Sequence, residues 1–144
     1  MEWLVEKSTE IGVTGIHFFI SSRTERKLIN LNKLNHIAIA AIKQSGRYWL
    51  PEITNPTSYT EVLQGKHQNK FVASLYGADT PALKNCCSGV TSASILIGPE
   101  GDFTEEEINQ AIQHGFKPVS LGKFTLRAET AGLVATQMLI SQSA

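Results

Sequence analysis

The sequence predicts an α/β fold, a mainly parallel sheet flanked by helices, and three observations carry that expectation. Strand-forming runs alternate with segments of helical periodicity along the chain. Ser94-Ile95-Leu96-Ile97 reads as a continuous apolar strand of the kind buried on both faces of a parallel sheet. Two glycine-bearing junctions, after Ile97 and after Leu121, each join a strand to a helix. Such strand ends are where open α/β sheets usually take ligands.

The elements follow in order. Met1, Leu4, Val5, Ser8 and Ile11 recur at helical spacing, and Gly12 is a plausible stop. Gly15-Ile16-His17-Phe18-Phe19-Ile20 is a β-rich run closed by Ser21-Ser22-Arg23. The second helix spans Leu31 to Ser45, with Leu34, Ile37, Ala38, Ala41 and Ile42 on one face and Gly46 at its end. Pro51, Asn55 and Pro56 predict an irregular stretch, with a short helix around Tyr59–Leu63 and a strand over Phe71–Leu75. After the Ser94–Ile97 strand, Thr104 and Glu107 form a capping-box pair, and Phe103 and Ile108 take the two positions of a hydrophobic staple. Glu105, Glu106 and Glu107 favour the positive end of that helix. Gly115 stops it, Val119-Ser120-Leu121 makes a last short strand, and a final helix runs from Glu129 to Ser141.

Length and composition bound the function. The 144 residues suit one domain, and 42% apolar with 18% charged residues is a globular composition that excludes a disordered tail. No apolar stretch approaches the roughly 18 residues of a membrane span. Glu2 and Glu6 stand where a signal peptide needs a basic and then an apolar run. Cys86 and Cys87 are adjacent and close no useful loop, so a reducing cytoplasm is the expected setting. His17, His36, His67 and His114 lack ligand spacing, so no metal site is expected, and no Gly-x-Ser-x-Gly nucleophile signature is present. Zero net charge argues against a simple basic nucleic-acid binder. The first 50 residues nevertheless carry seven Lys and Arg against four Asp and Glu, and the remainder six against nine.

Two segments are candidates for chemistry. Gly98-Pro99-Glu100-Gly101-Asp102-Phe103 allows tight turning and close approach of a ligand to backbone amides, although an ordinary strand-to-helix turn is the competing reading. It has neither Walker nor dinucleotide spacing, and Glu100 disfavours phosphate; hydroxyls, an amine or a cationic centre suit it better. In Leu121-Gly122-Lys123-Phe124-Thr125-Leu126-Arg127-Ala128-Glu129, Arg127 opposes the dipole of the following helix, which points to a specific partner or to an ion pair with a Glu. Ala128, Ala131, Gly132 and Ala135 form a small-residue stripe that suits either the core or a second subunit. Arg23, Arg26, Lys27, Lys43 and Arg47 supply the positive half of the chain, and Arg23 and Arg47 each directly follow an apolar element.

Glu6-Lys7-Ser8-Thr9-Glu10-Ile11-Gly12-Val13, Gln44-Ser45-Gly46-Arg47, Ile97-Gly98-Pro99-Glu100-Gly101 and Leu126-Arg127-Ala128-Glu129-Thr130-Ala131 occur in that order. Together they closely resemble the family of ribosomal RNA uridine N3-methyltransferases that modify the small-subunit RNA, within the SPOUT, or α/β-knot, superfamily. The resemblance covers essentially the whole chain. It implies a trefoil knot in the C-terminal part of the sheet, an S-adenosylmethionine site built from knot loops, and a homodimer whose interface borders that site. By the resemblance, the cofactor-binding residues are Leu75, Tyr76, Ile97, Gly98, Pro99, Glu100, Gly101, Leu121, Gly122, Leu126 and Arg127. The implied partner is ribosomal RNA of the small subunit, in the cytoplasm, without metal or membrane.

Three departures stand out. Asp102 replaces a glycine found in many members, and Lys123-Phe124-Thr125 is an unusual filling of its loop. The small N-terminal β-barrel that grips RNA in the family is not expected within residues 1–144, which correspond to the methyltransferase domain. Arg127, with Arg23 or Arg47 from a facing subunit, is expected to stabilise negative charge on the base carbonyls. Glu100 or Glu129 is the candidate proton acceptor. A non-catalytic binding dimer of the same fold, and a methyltransferase acting on a different RNA, are the alternatives.

Overall fold

Helices and strands alternate from the first residues in the computed structural model, which describes residues 1–25, 28–75 and 79–143. Arg26, Lys27 and Tyr76, singled out by the sequence, lie outside the described residues. Helix α1 (Glu2–Ile11) ends at Gly12, whose φ of 111° is left-handed and lets its amide return to the Ser8 carbonyl. Strand β1 (Gly15–Ile20) coincides with the β-rich run. Helix α2 (Leu31–Ser45) begins where the Asn30 side chain accepts the Lys33 amide, and buries Leu34, Ala38 and Ala41. Leu34 and Ala38 form one core cluster with Val5 and Ile53.

The stretch expected to be irregular is strand β2 (Glu52–Ser58), parallel to β1. Its prolines are accommodated by a register shift: His17 pairs with Thr54 but Phe19 pairs with Thr57, so β2 carries one extra residue where Asn55 and Pro56 lie. A bulge on a strand with one open edge needs no amide from proline, which is why the breaker residues do not break it. Helix α3 (Tyr59–Leu63) follows directly, capped by the Ser58 side chain.

Strand β3 (Lys70–Ala73) is the centre of a second parallel sheet in the order β4-β3-β5, with β4 at Ser94–Leu96 and β5 at Lys117–Val119. Every strand pairing among the described residues is parallel, in two sheets rather than one. Strand β4 is therefore an edge, and only Leu96 of its three residues is buried. Strand β5 starts earlier than expected, because Pro118 is tolerated on an outer strand. Ser120, beyond it, bridges to Ala82 at the start of the short helix α4 (Leu83–Cys86), which the sequence reading did not contain.

Side chains join the two sheets. The rings of Phe19 from β1, Tyr59 from α3 and Phe103 from the loop after β4 lie with centroids 5.6–6.0 Å apart. They pack with Val72, Leu96, Ile108, Ala111 and Phe116. Helix α5 (Glu105–Gln113) enters this core as expected, with the Thr104–Glu107 capping box complete and both staple residues in the cluster. Burial, and to a lesser degree the nearby charge of Glu107, push the Tyr59 phenol up to about 12.

Helix α6 (Ala128–Ser143) packs two of its small residues within the chain. Ala135 is buried with Phe71, Leu83, Cys87 and Val119. Gly132 faces Leu4 of α1 so closely that an added Cβ would stand 3.1 Å from a Leu4 methyl carbon. Gly132 and Ala135 of the stripe thus serve packing within this chain. No helix among the described residues is long and apolar enough to cross a membrane.

Candidate functional site

The carboxyl ends of β3, β4 and β5 feed one cleft. Ala73, Ser74 and Leu75 line it from β3; Ile97, Gly98, Pro99, Glu100 and Asp102 from the loop after β4; and Leu121, Gly122, Phe124, Thr125 and Leu126 from the loop after β5. Ala128 and Ala131 close it from the first turn of α6. Parallel strands necessarily send successive loops to the same edge, and that is how three stretches separated in sequence meet. The cleft is apolar along Ile97, Leu121 and Leu126, and two acids, Glu100 and Asp102, stand on its wall. At its mouth Leu75 is 61% and Phe124 82% exposed.

The turn after β4 is tight for a structural reason. A Cβ on Gly98 would lie 3.0 Å from Asp102 Oδ1 and 3.1 Å from the Phe103 amide nitrogen, so the loop closes over a residue without a side chain. The Asp102 amide donates to the Pro99 carbonyl at 2.8 Å. Asp102 itself adopts φ 63°, and its Oδ1 accepts the Phe103 amide at 2.8 Å. Its second carboxylate oxygen, Oδ2, is shielded from solvent and has no hydrogen-bond partner among the described residues.

This loop is tied to the segment after β1. Arg23 Nη1 donates to the Gly101 carbonyl at 2.7 Å, and its aliphatic stem covers the face where Gly101 would carry a Cβ. Beside it, the Ser22 amide donates to Glu107 Oε2 at 3.1 Å, while Glu107 Oε1 accepts the Thr104 amide at 2.9 Å. Glu107 is only 5% exposed, so these charge-assisted bonds satisfy a buried carboxylate. The sequence marked Glu107 for the capping box and the helix dipole; its further task as an anchor for Ser22, 85 positions away, was missed, since long-range pairing leaves no local signal.

The remaining candidates separate. Arg127 is exposed immediately before α6, its carbonyl accepting the Ala131 amide, and among the described residues it makes no ion pair. The expected alternative of a Glu partner is therefore not realised. Glu100 is exposed on the cleft wall and Glu129 is half-buried in the first turn of α6. Arg47 lies elsewhere: its guanidinium donates to the carbonyls of Glu10 and Ile11 at the end of α1 and approaches the Trp49 ring at 5.9 Å. Those orphan carbonyls at a helix C-terminus attract a cation, which explains the position of Arg47 without a ligand. Gly101 and Arg127 flank the cleft rather than line it, and Ala73, Ser74, Ala128 and Ala131 are lining residues the sequence reading missed. Among the described residues no group of three or more His, Cys, Asp or Glu side chains is arranged to hold a metal ion.

Strand-end loops converging on a partly apolar cleft with acids and cations at its rim define an α/β ligand-binding domain of the kind that enzymes use. The chain belongs to the RNA methyltransferase domain family, whose profile matches residues 1–140. The ribosomal RNA small subunit methyltransferase E of Buchnera aphidicola is 32% identical, over 96% of this chain and 57% of that protein. A crystal structure of a probable rRNA-methyltransferase from Porphyromonas gingivalis is similar with a TM-score of 0.92 and 37% identity, over 99% of this chain and 62% of the other. The ribosomal RNA small subunit methyltransferase E of Neisseria gonorrhoeae, in a crystal structure bound to S-adenosyl methionine, gives a TM-score of 0.85 at 34% identity, over 94% and 58%. The chain spans less than two thirds of the length of these relatives.

Proposed function

We propose that this domain transfers a methyl group from S-adenosylmethionine to N3 of a uridine in small-subunit ribosomal RNA. The observation that carries the reading is the meeting of the β3, β4 and β5 loops in one cleft, in a chain of this family. The neighbour from Neisseria gonorrhoeae, with its bound S-adenosyl methionine, supports the cofactor. The residues fit such a ligand. Ile97, Leu121 and Leu126 give apolar walls for a flat base, and Glu100 and Asp102 suit hydroxyls and positive charge.

When bound, S-adenosylmethionine supplies an electrophilic methyl group on a sulfonium. The chain's own residues then have three tasks. Leu75, Gly98, Gly122 and the loop between them hold the reactants in line, an effect that supplies up to roughly 7–11 kcal/mol in ideal cases. Arg127, with Arg23 beside Gly101, places positive charge where the uracil carbonyl oxygens become anionic as the imide loses its proton. Glu100 would take that proton and become a carboxylic acid, leaving on N3 the electron pair that displaces the methyl group from the sulfonium sulfur, with the neutral thioether as leaving group. Arg47 is left out of this set, since its guanidinium is committed to the carbonyls at the end of α1.

The same reading includes the SPOUT superfamily, a trefoil knot formed by the segments around the cleft, a homodimer and a cytoplasmic location. Leu75 and Phe124, exposed at the cleft mouth, support a second subunit bordering the site. In this account residues 1–144 are the catalytic domain and further RNA grip comes from outside them. The test pairs calorimetry with S-adenosylmethionine and methylation of undermethylated small ribosomal subunits, using the unaltered chain and Arg127→Ala. Loss of one group stabilising transition-state charge is expected to lower turnover about 100-fold or more, without changing the melting temperature. Near-normal turnover by Arg127→Ala overturns its role, and cofactor binding without transfer by the unaltered chain favours the non-catalytic module.

A further inference from the structure

Asp102 carries two costs that the fold alone does not explain. Its φ of 63° lies in the left-handed region, which a residue with a Cβ adopts at a penalty. Oδ1 offsets part of this by accepting the Phe103 amide. Oδ2 adds a second cost, because it is removed from water without receiving a donor from the described residues. Both fall on a residue that lines the cleft beside Gly98, where a glycine would avoid them. Local costs that persist at a ligand cleft point to a use for the group that bears them.

We propose that Asp102 is a specificity-determining contact for the cofactor, with Oδ2 accepting a hydrogen bond from a donor on S-adenosylmethionine. The inference rests on the cofactor reading above and adds to it a residue that the family resemblance did not supply. An acceptor-only carboxylate oxygen selects hydroxyl or ammonium groups, and the cofactor carries both, on its ribose and on its methionyl arm.

Asp102→Asn separates this role from a structural one. Asparagine also tolerates a left-handed backbone, and its amide oxygen can still accept the Phe103 amide. Its amide nitrogen then presents a donor where Oδ2 presents an acceptor. Asp102→Gly is the second variant, because glycine adopts φ 63° without strain and removes the carboxylate altogether. Calorimetry uses S-adenosylmethionine and 5′-methylthioadenosine, which keeps the ribose hydroxyls and lacks the amino-acid arm. Both variants are expected to melt as cooperatively as the unaltered chain and to bind S-adenosylmethionine about tenfold more weakly or worse. An equal loss for 5′-methylthioadenosine assigns the donor to the ribose; a loss confined to S-adenosylmethionine assigns it to the ammonium. Binding of S-adenosylmethionine within twofold of the unaltered chain by both variants overturns the proposal and leaves the cofactor reading intact. Failure of the unaltered chain to bind S-adenosylmethionine overturns the cofactor reading, and this assignment with it.

Discussion

Glu107→Ala is expected to remove about 3–5 kcal/mol of unfolding free energy, an unusually large loss for a helical glutamate. The side chain supplies two acceptors, one for the Thr104 amide at 2.9 Å and one for the Ser22 amide at 3.1 Å. Hydrogen bonds to charged groups contribute about 1.5–3 kcal/mol each, and truncation leaves both amides without their partner. Thr104 is half-buried and Ser22 exposed, so water replaces part of each bond and the sum falls toward the lower half of the range. Glu107→Gln is expected to lose about 1–3 kcal/mol, because one amide oxygen remains for Thr104 while a nitrogen donor faces the Ser22 donor. Urea unfolding followed by circular dichroism measures both differences at constant slope. A Glu107→Ala variant within about 1 kcal/mol of the unaltered chain would refute the idea that this carboxylate ties the Ser22–Arg23 segment to α5.

Three further outcomes test other parts of the structure. Gly98→Ala forces a Cβ to 3.0 Å from Asp102 Oδ1 and 3.1 Å from the Phe103 nitrogen, and is expected to cost about 1–3 kcal/mol and to lose S-adenosylmethionine binding by calorimetry; unchanged binding contradicts the close turn. The Tyr59 phenol, about 12 when folded against 10.0 for the ordinary group, favours the folded state fully below pH 10 and loses that contribution as pH rises toward 12. Stability measured by urea unfolding should therefore decline over that window, and Tyr59→Phe should flatten the decline while costing about 1 kcal/mol for the hydroxyl bond to the Glu107 carbonyl. Cys87 is buried, and burial raises its thiol pKa, whereas Cys86 is half-buried, so native alkylation should modify Cys86 alone and reach Cys87 only in denaturant, as read by mass spectrometry.

Much of the architecture was legible because its signals are local. The boundaries of β1 and α2, the short helix over Tyr59–Leu63, and the capping box and staple of α5 follow from spacing, caps and stop residues. The strand through Pro56 was illegible for the opposite reason: proline forbids an ordinary ladder bond, and only the pairing partner shows that a bulge absorbs it. Likewise, Arg47 reads as a ligand-facing cation until the end of α1 is seen to stand beside it. At the cleft, the two glycine-bearing loops were legible as strand-end turns, whereas Ala128 and Ala131 enter only because α6 begins at the cleft wall. The Arg23–Gly101 and Ser22–Glu107 contacts join residues 78 and 85 positions apart, a distance over which periodicity says nothing. Chain threading is beyond pattern reading altogether, and the knot rests on family resemblance alone.

The most direct test of the methyltransferase account is nucleoside analysis of small-subunit RNA. Undermethylated small ribosomal subunits are incubated with this chain and methyl-labelled S-adenosylmethionine, digested to nucleosides, and resolved by mass spectrometry. The account predicts label in 3-methyluridine, absent with Arg127→Ala. Label in a different methylated nucleoside, or none from a chain that binds the cofactor, would contradict it.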